Sequence, residues 1–179
     1  MSMKTTVVTA AHGVETAVEA ICKGVLLLTG FSLLGVLVIN VFVRYVVEGS
    51  VGALSELPSL LFPWFVMGGV VLAAVRGSHV AMQLTLHSLP PDGRRWLATF
   101  IHALSAVVFL MLAWYSVENT LIAHDEQSTI LHVPGSVGYS ALLLAFLLIG
   151  VSSLTALLRF GVGREEVLVD LAADNGGIV

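Results

Sequence analysis

The sequence predicts an all-α integral membrane protein with four transmembrane helices, and three observations carry that prediction. The 179 residues are 57% hydrophobic and 11% charged, with a mean hydropathy of +0.96; a soluble domain carries roughly 25% charged residues. Residues 24–43, 57–75, 97–117 and 136–158 are uncharged, and each reaches the roughly 17–25 apolar residues that a helix needs to cross a bilayer. In lipid only a helix satisfies its backbone polar groups within one segment, so each stretch reads as a helix. The composition also excludes other classes. A net charge of -4 with no basic run argues against nucleic-acid binding. The single cysteine, Cys22, excludes an internal disulfide and a cysteine-cluster metal site, and reads as a small packing residue.

The first helix has an amphipathic lead-in. Over residues 13–23, Val14, Ala17, Val18 and Ile21 fall on one side and Glu15 and Glu19 on the other, which is helical spacing. Residues 1–12 and 165–179 read as flexible ends of a single four-helix domain covering 1–179. No compact apolar core followed by a small-residue cleavage site opens the chain, so the first span is expected to be retained.

A hairpin over residues 38–79 organises the rest. One apolar helix runs out through Asn40, Arg44 and Tyr45, and a polar turn carries Glu48, Ser50, Ser55 and Glu56. A second apolar helix starts at Leu57-Pro58 and is expected to stop at Arg76-Gly77-Ser78-His79. Pro58 suits a first helical turn, with Ser55 as its N-cap. Pro63 lies deeper, frees the Ser59 carbonyl and should kink the helix. Met67-Gly68-Gly69 makes a thin face open to close approach by another helix, from this bundle or from another subunit.

Residues 80–89 are apolar at alternate positions but too short to span, and predict an interfacial helical segment between helices 2 and 3. Trp96 then marks one interface, and Trp114 with Tyr115 the other. The loop over 118–128 is acidic, and residues 130–135 lead back into apolar sequence before the fourth helix, with His132 as its expected cap.

Orientation follows from the basic residues. Lys4, Lys23, Arg76, Arg94, Arg95, Arg159 and Arg164 share one side, and the other holds only Arg44. The positive-inside rule puts the first side, with both termini, in the cytoplasm. Arg44 either snorkels to the interface or pairs with Glu48 or Glu56 to pin the hairpin.

Catalytic and metal readings find little support. Of six histidines only His102 lies within a span, whereas a bis-histidine haem needs two at matching depth. None of the four spans carries Asp, Glu, Lys or Arg, where a transporter places its ion site. No nucleophile–base pair or carboxylate dyad suggests an enzyme. The chain therefore reads as a small, non-catalytic helical subunit that works with a larger partner and binds no cofactor. The alternative is a four-helix membrane anchor of a respiratory or redox complex.

An ordered set of short motifs resembles the small membrane subunit of tripartite ATP-independent periplasmic (TRAP) transporters, the DctQ-like family. The pieces are Asn40 through Arg44-Tyr45, Ser50 with Glu56, Leu61-Phe62-Pro63-Trp64, Arg76-Gly77-Ser78-His79, Leu89-Pro90 with Arg94-Arg95, and Ser128 through Pro134 with Tyr139. Together they cover about residues 20–160. Ala53, Ser55 and Ser59 depart from the usual loop Trp, first Glu and basic residue, and Ser140-Ala141-Leu142 lacks a proline often found there. The resemblance implies a bacterial inner-membrane scaffold subunit without a translocation path of its own. Its implied partners are a large permease subunit, a periplasmic substrate-binding protein and membrane lipids, and its implied task is organic-acid uptake driven by a sodium or other ion gradient. It marks Asn40, Arg44, Tyr45, Glu56, Trp64, Arg76, His79, Pro134 and Tyr139 as structural or interface candidates.

Overall fold

A computed structural model describes residues 3–46, 52–86 and 91–162. Four helices follow in chain order: α1 (Met3–Val46), α2 (Gly52–Leu86), α3 (Pro91–Ile122) and α4 (Ser136–Val162). All four contain a window long and apolar enough to cross a membrane, in Gly13–Val46, Gly52–Arg76, Thr99–Ile122 and Ser136–Leu158. The four-span prediction holds. The polar turn with Glu48 and Ser50, His87, Pro90 and the 165–179 tail lie outside the described residues.

Several helix limits differ from expectation. α2 is helical from Gly52, so Ser55 lies inside the helix instead of capping it and Pro58 falls in its second turn; α3 extends beyond 97–117 at both ends, to Pro91 and Ile122. α1 is already helical at Met3, ten residues before the predicted lead-in. α2 does not stop at Arg76-Gly77-Ser78-His79 but runs unbroken to Leu86. Gly77 and Ser78 are weak helix formers but no barrier to propagation, which costs far less than nucleation. The segment expected to start afresh after His79 is thus the end of α2.

The core sits where small residues let helices approach. α1 packs on α2 and α4, and α3 packs chiefly on α4, so α4 touches all three of the others. Its inward stripe is Ala141, Ala145 and Ile149, which meets Met67, Val71 and Val75 of α2 and Val18 and Cys22 of α1. The residues of that stripe recur at the four-residue spacing of one helix face. Cys22 is fully buried, in accord with its packing role. On the α1 lead-in the inward residue is Val18, while Ile21 is exposed.

Gly68 settles the thin face of α2. A Cβ there would lie 3.0 Å from the Cys22 carbonyl and 3.1 Å from Leu26 Cβ. The face is used inside the bundle, against α1.

Two polar bands bound the apolar slab. At the end holding the chain termini, Glu19 accepts from Lys23 Nζ at 2.8 Å and from Arg76 Nε at 2.8 Å, tying α1 to α2. At the opposite, loop end stand Arg44, Glu56, Trp114 and Tyr115. Lys23 and Arg44 are about 21 positions apart on one helix, and Glu56 and Arg76 about 20 on another. At roughly 1.5 Å per residue both intervals are about 30 Å, the thickness of a hydrocarbon core. Exposed Trp96, stacked on Phe100 with centroids 5.7 Å apart, and exposed Trp114 sit at the two borders of α3.

Candidate functional site

The most densely bonded polar site lies at the loop end, where the start of α2 meets the connection between α3 and α4. α3 unwinds through Ala123, His124 and Asp125, whose N–H groups donate back to Asn119, Leu121 and Ile122. The chain then folds on itself: Gln127 bridges Pro134, Ser128 N–H donates to Val133 O at 3.0 Å, and Gly135 N–H donates to Glu126 O at 2.8 Å. Between them residues 128–132 form one isolated helical turn, closed by His132 N–H donating to Ser128 O at 3.2 Å. His132 ends that turn in the left-handed region, at φ 51°. This is the helix-terminating geometry that glycine and asparagine adopt most readily.

Such a turn leaves its first N–H groups without partners inside itself. Glu56 supplies them from a different element. Its carboxylate accepts from Ile130 N–H at 3.0 Å, from Leu131 N–H at 3.0 Å and from the Ser128 hydroxyl. Successive N–H groups of this kind form an anion-binding concavity, here filled by the protein's own carboxylate. Glu56 is placed for the task by α2, whose first turns also bond locally through Ser59 Oγ donating to Glu56 O at 2.6 Å.

The clamp extends down the bundle. Trp64 Nε1 donates to Val137 O at 3.2 Å, joining α2 to the first turn of α4. Pro134 lends its carbonyl to Val137 N–H at 3.1 Å and so opens that turn. Tyr139 follows one turn on, half exposed. Gly135 is required by close approach, since a Cβ there would lie 2.9 Å from the Ala123 carbonyl.

The structure thus brings Glu56, Trp64, Pro134 and Tyr139 together at one end. It does not bring Arg44 to them. Among the described residues Arg44 makes no ion pair with Glu56, whose carboxylate is taken by the 128–131 turn; the guanidinium instead lies 6.0 Å from the Tyr45 ring centroid. Asn40 lies on the half-buried stripe of α1 with Leu33, Val36 and Val43, while Arg44 and Tyr45 are exposed. Arg76 is at the other end, on Glu19. His79 lies in α2, with its side chain outside the described residues.

His132, expected to cap α4, is exposed and makes no such bond among the described residues; His124 Nδ1 instead lies 3.0 Å from the hydroxyl of Ser136, the first residue of α4, a side-chain contact and not a backbone cap. His102 is buried within α3.

The Glu56 turn was missed by sequence reasoning because its partners lie 72 to 75 residues away. The signals available were a carboxylate next to a span boundary and the resemblance that marked both Glu56 and the Ser128-through-Pro134 segment without pairing them.

Two comparisons bear on identity. A family described as "Tripartite ATP-independent periplasmic transporters, DctQ component" matches residues 33–160. An uncharacterized protein, y4mM, of Sinorhizobium fredii (strain NBRC 101917 / NGR234) is 36% identical over 150 residues, which is 82% of this chain and 28% of that protein. The chain therefore spans under a third of the length of this relative. The family match takes in the loop-end clamp whole, from Glu56 to Tyr139, as well as Asn40, Arg44, Tyr45 and Arg76. On that match and on its four apolar spans, this chain belongs to the DctQ component family of the TRAP transporters, as a multi-pass membrane protein.

Proposed function

We propose that this chain is the small, non-translocating membrane subunit of a TRAP-type secondary transporter. In this reading it braces a large permease subunit, which binds substrate and coupling ion, while a periplasmic binding protein delivers an organic acid. The family match over residues 33–160 carries the proposal. The charge distribution supports it: the ionised side chains lie in two bands at the ends of the apolar slab, so no coupling-ion site is supplied at its middle. With Lys4, Lys23, Arg76, Arg94, Arg95, Arg159 and Arg164 at one end, both termini face the cytoplasm across a bacterial inner membrane, and the Glu56 loop faces the periplasm. The last turns of α2, through Leu86, and the start of α3 then project past the inner border of the slab.

α1 is the helix offered to the permease. Only 6% of its apolar window is buried, against 22% in each of the other three, and from Gly30 to Val46 no residue is buried. Phe31, Leu34, Val38, Val41 and Phe42 form its exposed outer half.

Reconstitution tests the reading. Proteoliposomes holding this chain with a permease and binding protein should take up the organic acid, and this chain alone should give none. Uptake by this chain alone would overturn the scaffold role. Cysteines at Leu34 and Val38 should crosslink to the permease, and cysteines at Leu104 and Val108 of α3 should not.

A further inference from the structure

Beside the clamp a cleft of about 510 Å³ opens between the first turns of α2 and α4. Ser59, Leu60 and Pro63 wall one side, Tyr139 and Leu142 the other, and Glu126 lies at the loop. Its volume falls within the ~300–1,000 Å³ of small-molecule sites. Its polarity is graded by depth. Ser59 and Glu126 stand at the level of the loop-end polar band, and Pro63 and Leu142 lie about one turn, ~5 Å, further into the slab.

Two acceptors belong to residues that line the mouth. Pro63 has no N–H, so the Ser59 carbonyl four residues earlier lacks its helical donor. The Ser59 hydroxyl does not serve it, being donated to Glu56 O. Glu126 is exposed and has no ion pair among the described residues, whereas Glu19 is paired with Lys23 and Arg76. Tyr139, on the same cleft, carries a hydroxyl able to donate.

The geometry points to a phospholipid site selective for a primary-ammonium headgroup of the ethanolamine class. The ammonium carries several N–H donors and a positive charge, which match a carbonyl that lacks its i+4 donor and a carboxylate without an ion pair among the described residues. A quaternary choline has no N–H to give, and an anionic glycerol headgroup is repelled by Glu126. The phosphate takes the Tyr139 hydroxyl, and the acyl chain follows Leu60, Pro63 and Leu142 into the hydrocarbon. The inference rests on the chain spanning a bilayer, and on neither its permease partner nor the side on which the loop lies.

Native mass spectrometry of the delipidated full chain, re-exposed to ethanolamine, choline and glycerol phospholipids of one acyl composition, tests it. Wild type should retain one ethanolamine lipid per chain, several-fold over the other two. Glu126→Gln should bring the ethanolamine-to-choline ratio towards one. Leu142→Trp, which fills the floor, should abolish retention. Gly138→Ala narrows the same cleft with a mild change, its Cβ 3.5 Å from Pro63 Cγ, and should weaken retention even if Leu142→Trp fails to fold. Equal retention of all three headgroups by wild type, or retention unchanged by Gly138→Ala, would overturn the site. So would a cysteine at Leu142 crosslinking to another polypeptide in an assembled complex that carries no bound lipid, which would assign the cleft to protein contact. Because this assay needs neither uptake nor a partner, its failure leaves the transporter reading standing, and the reverse also holds.

Discussion

Glu56 shows how one side chain holds a loop that cannot hold itself. The 128–132 turn has a single closing backbone bond of its own, and its leading N–H groups are satisfied only through a carboxylate from α2. Leaving such donors unmet is costly, and a charged acceptor is the strongest partner available to them. Glu56→Gln replaces one acceptor oxygen by an NH2 group that faces other donors. A cysteine at Thr129 should then react with an impermeant thiol reagent several-fold faster than in the Glu56 background. An unchanged rate would mean that the loop keeps its shape unaided. Arg44, the most conspicuous charge in the sequence, is not part of this site. Charge identity announced it, but pairing depends on which donors reach the carboxylate first, and backbone N–H groups already positioned by a turn lose no rotamer entropy in doing so, unlike a long side chain.

The helices are placed by contacts of two kinds, small-residue approach and a few directed bonds. Gly68 lets α1 close on α2, and adding a methyl group at 3.0 Å from a carbonyl forces the two backbones apart. Gly68→Ala should therefore destabilise the bundle by about 1–3 kcal/mol, as overpacking does. Gly69→Ala, whose Cβ would meet Leu26 Cδ1 at an ordinary 3.5 Å, should stay within about 0.5 kcal/mol of wild type. Denaturant titration of both variants in one detergent distinguishes them. The Trp64 bond to the Val137 carbonyl is the directed contact between α2 and α4. Trp64→Phe should cost about 1 kcal/mol in the same titration, the net worth of one hydrogen bond. That carbonyl belongs to the first turn of α4, so the variant should also loosen the start of α4 more than its end, which amide hydrogen exchange reads directly.

At the scale of the whole molecule, a four-helix bundle with two polar bands about 30 Å apart is a membrane body with its charge at its rims. Under the proposed orientation, a cysteine at Asp125 in intact cells should label with an impermeant reagent, and one at Arg94 only after the membrane is opened. Labelling at Arg94 alone would invert the topology. The number of spans and their approximate places were legible in the sequence because hydrocarbon imposes a one-dimensional rule: enough apolar residues in a row, and no charge among them. The family was legible because its short motifs stand in order along the chain. The continuation of α2 past Arg76 was not legible, because a glycine and a serine weaken a helix locally without ending it. Neither was the partner of Arg76, which is Glu19 on another helix. Read along the chain alone, the residues already say that it lies in a membrane, how often it crosses, and where its charges gather. It took the packed helices to reveal that Gly68 serves the bundle, that Glu56 belongs to a turn more than seventy residues downstream, and that a cleft opens beside it. Each of these depends on which distant segments meet when four helices pack, and hydrophobic pattern fixes the faces of helices without fixing their neighbours.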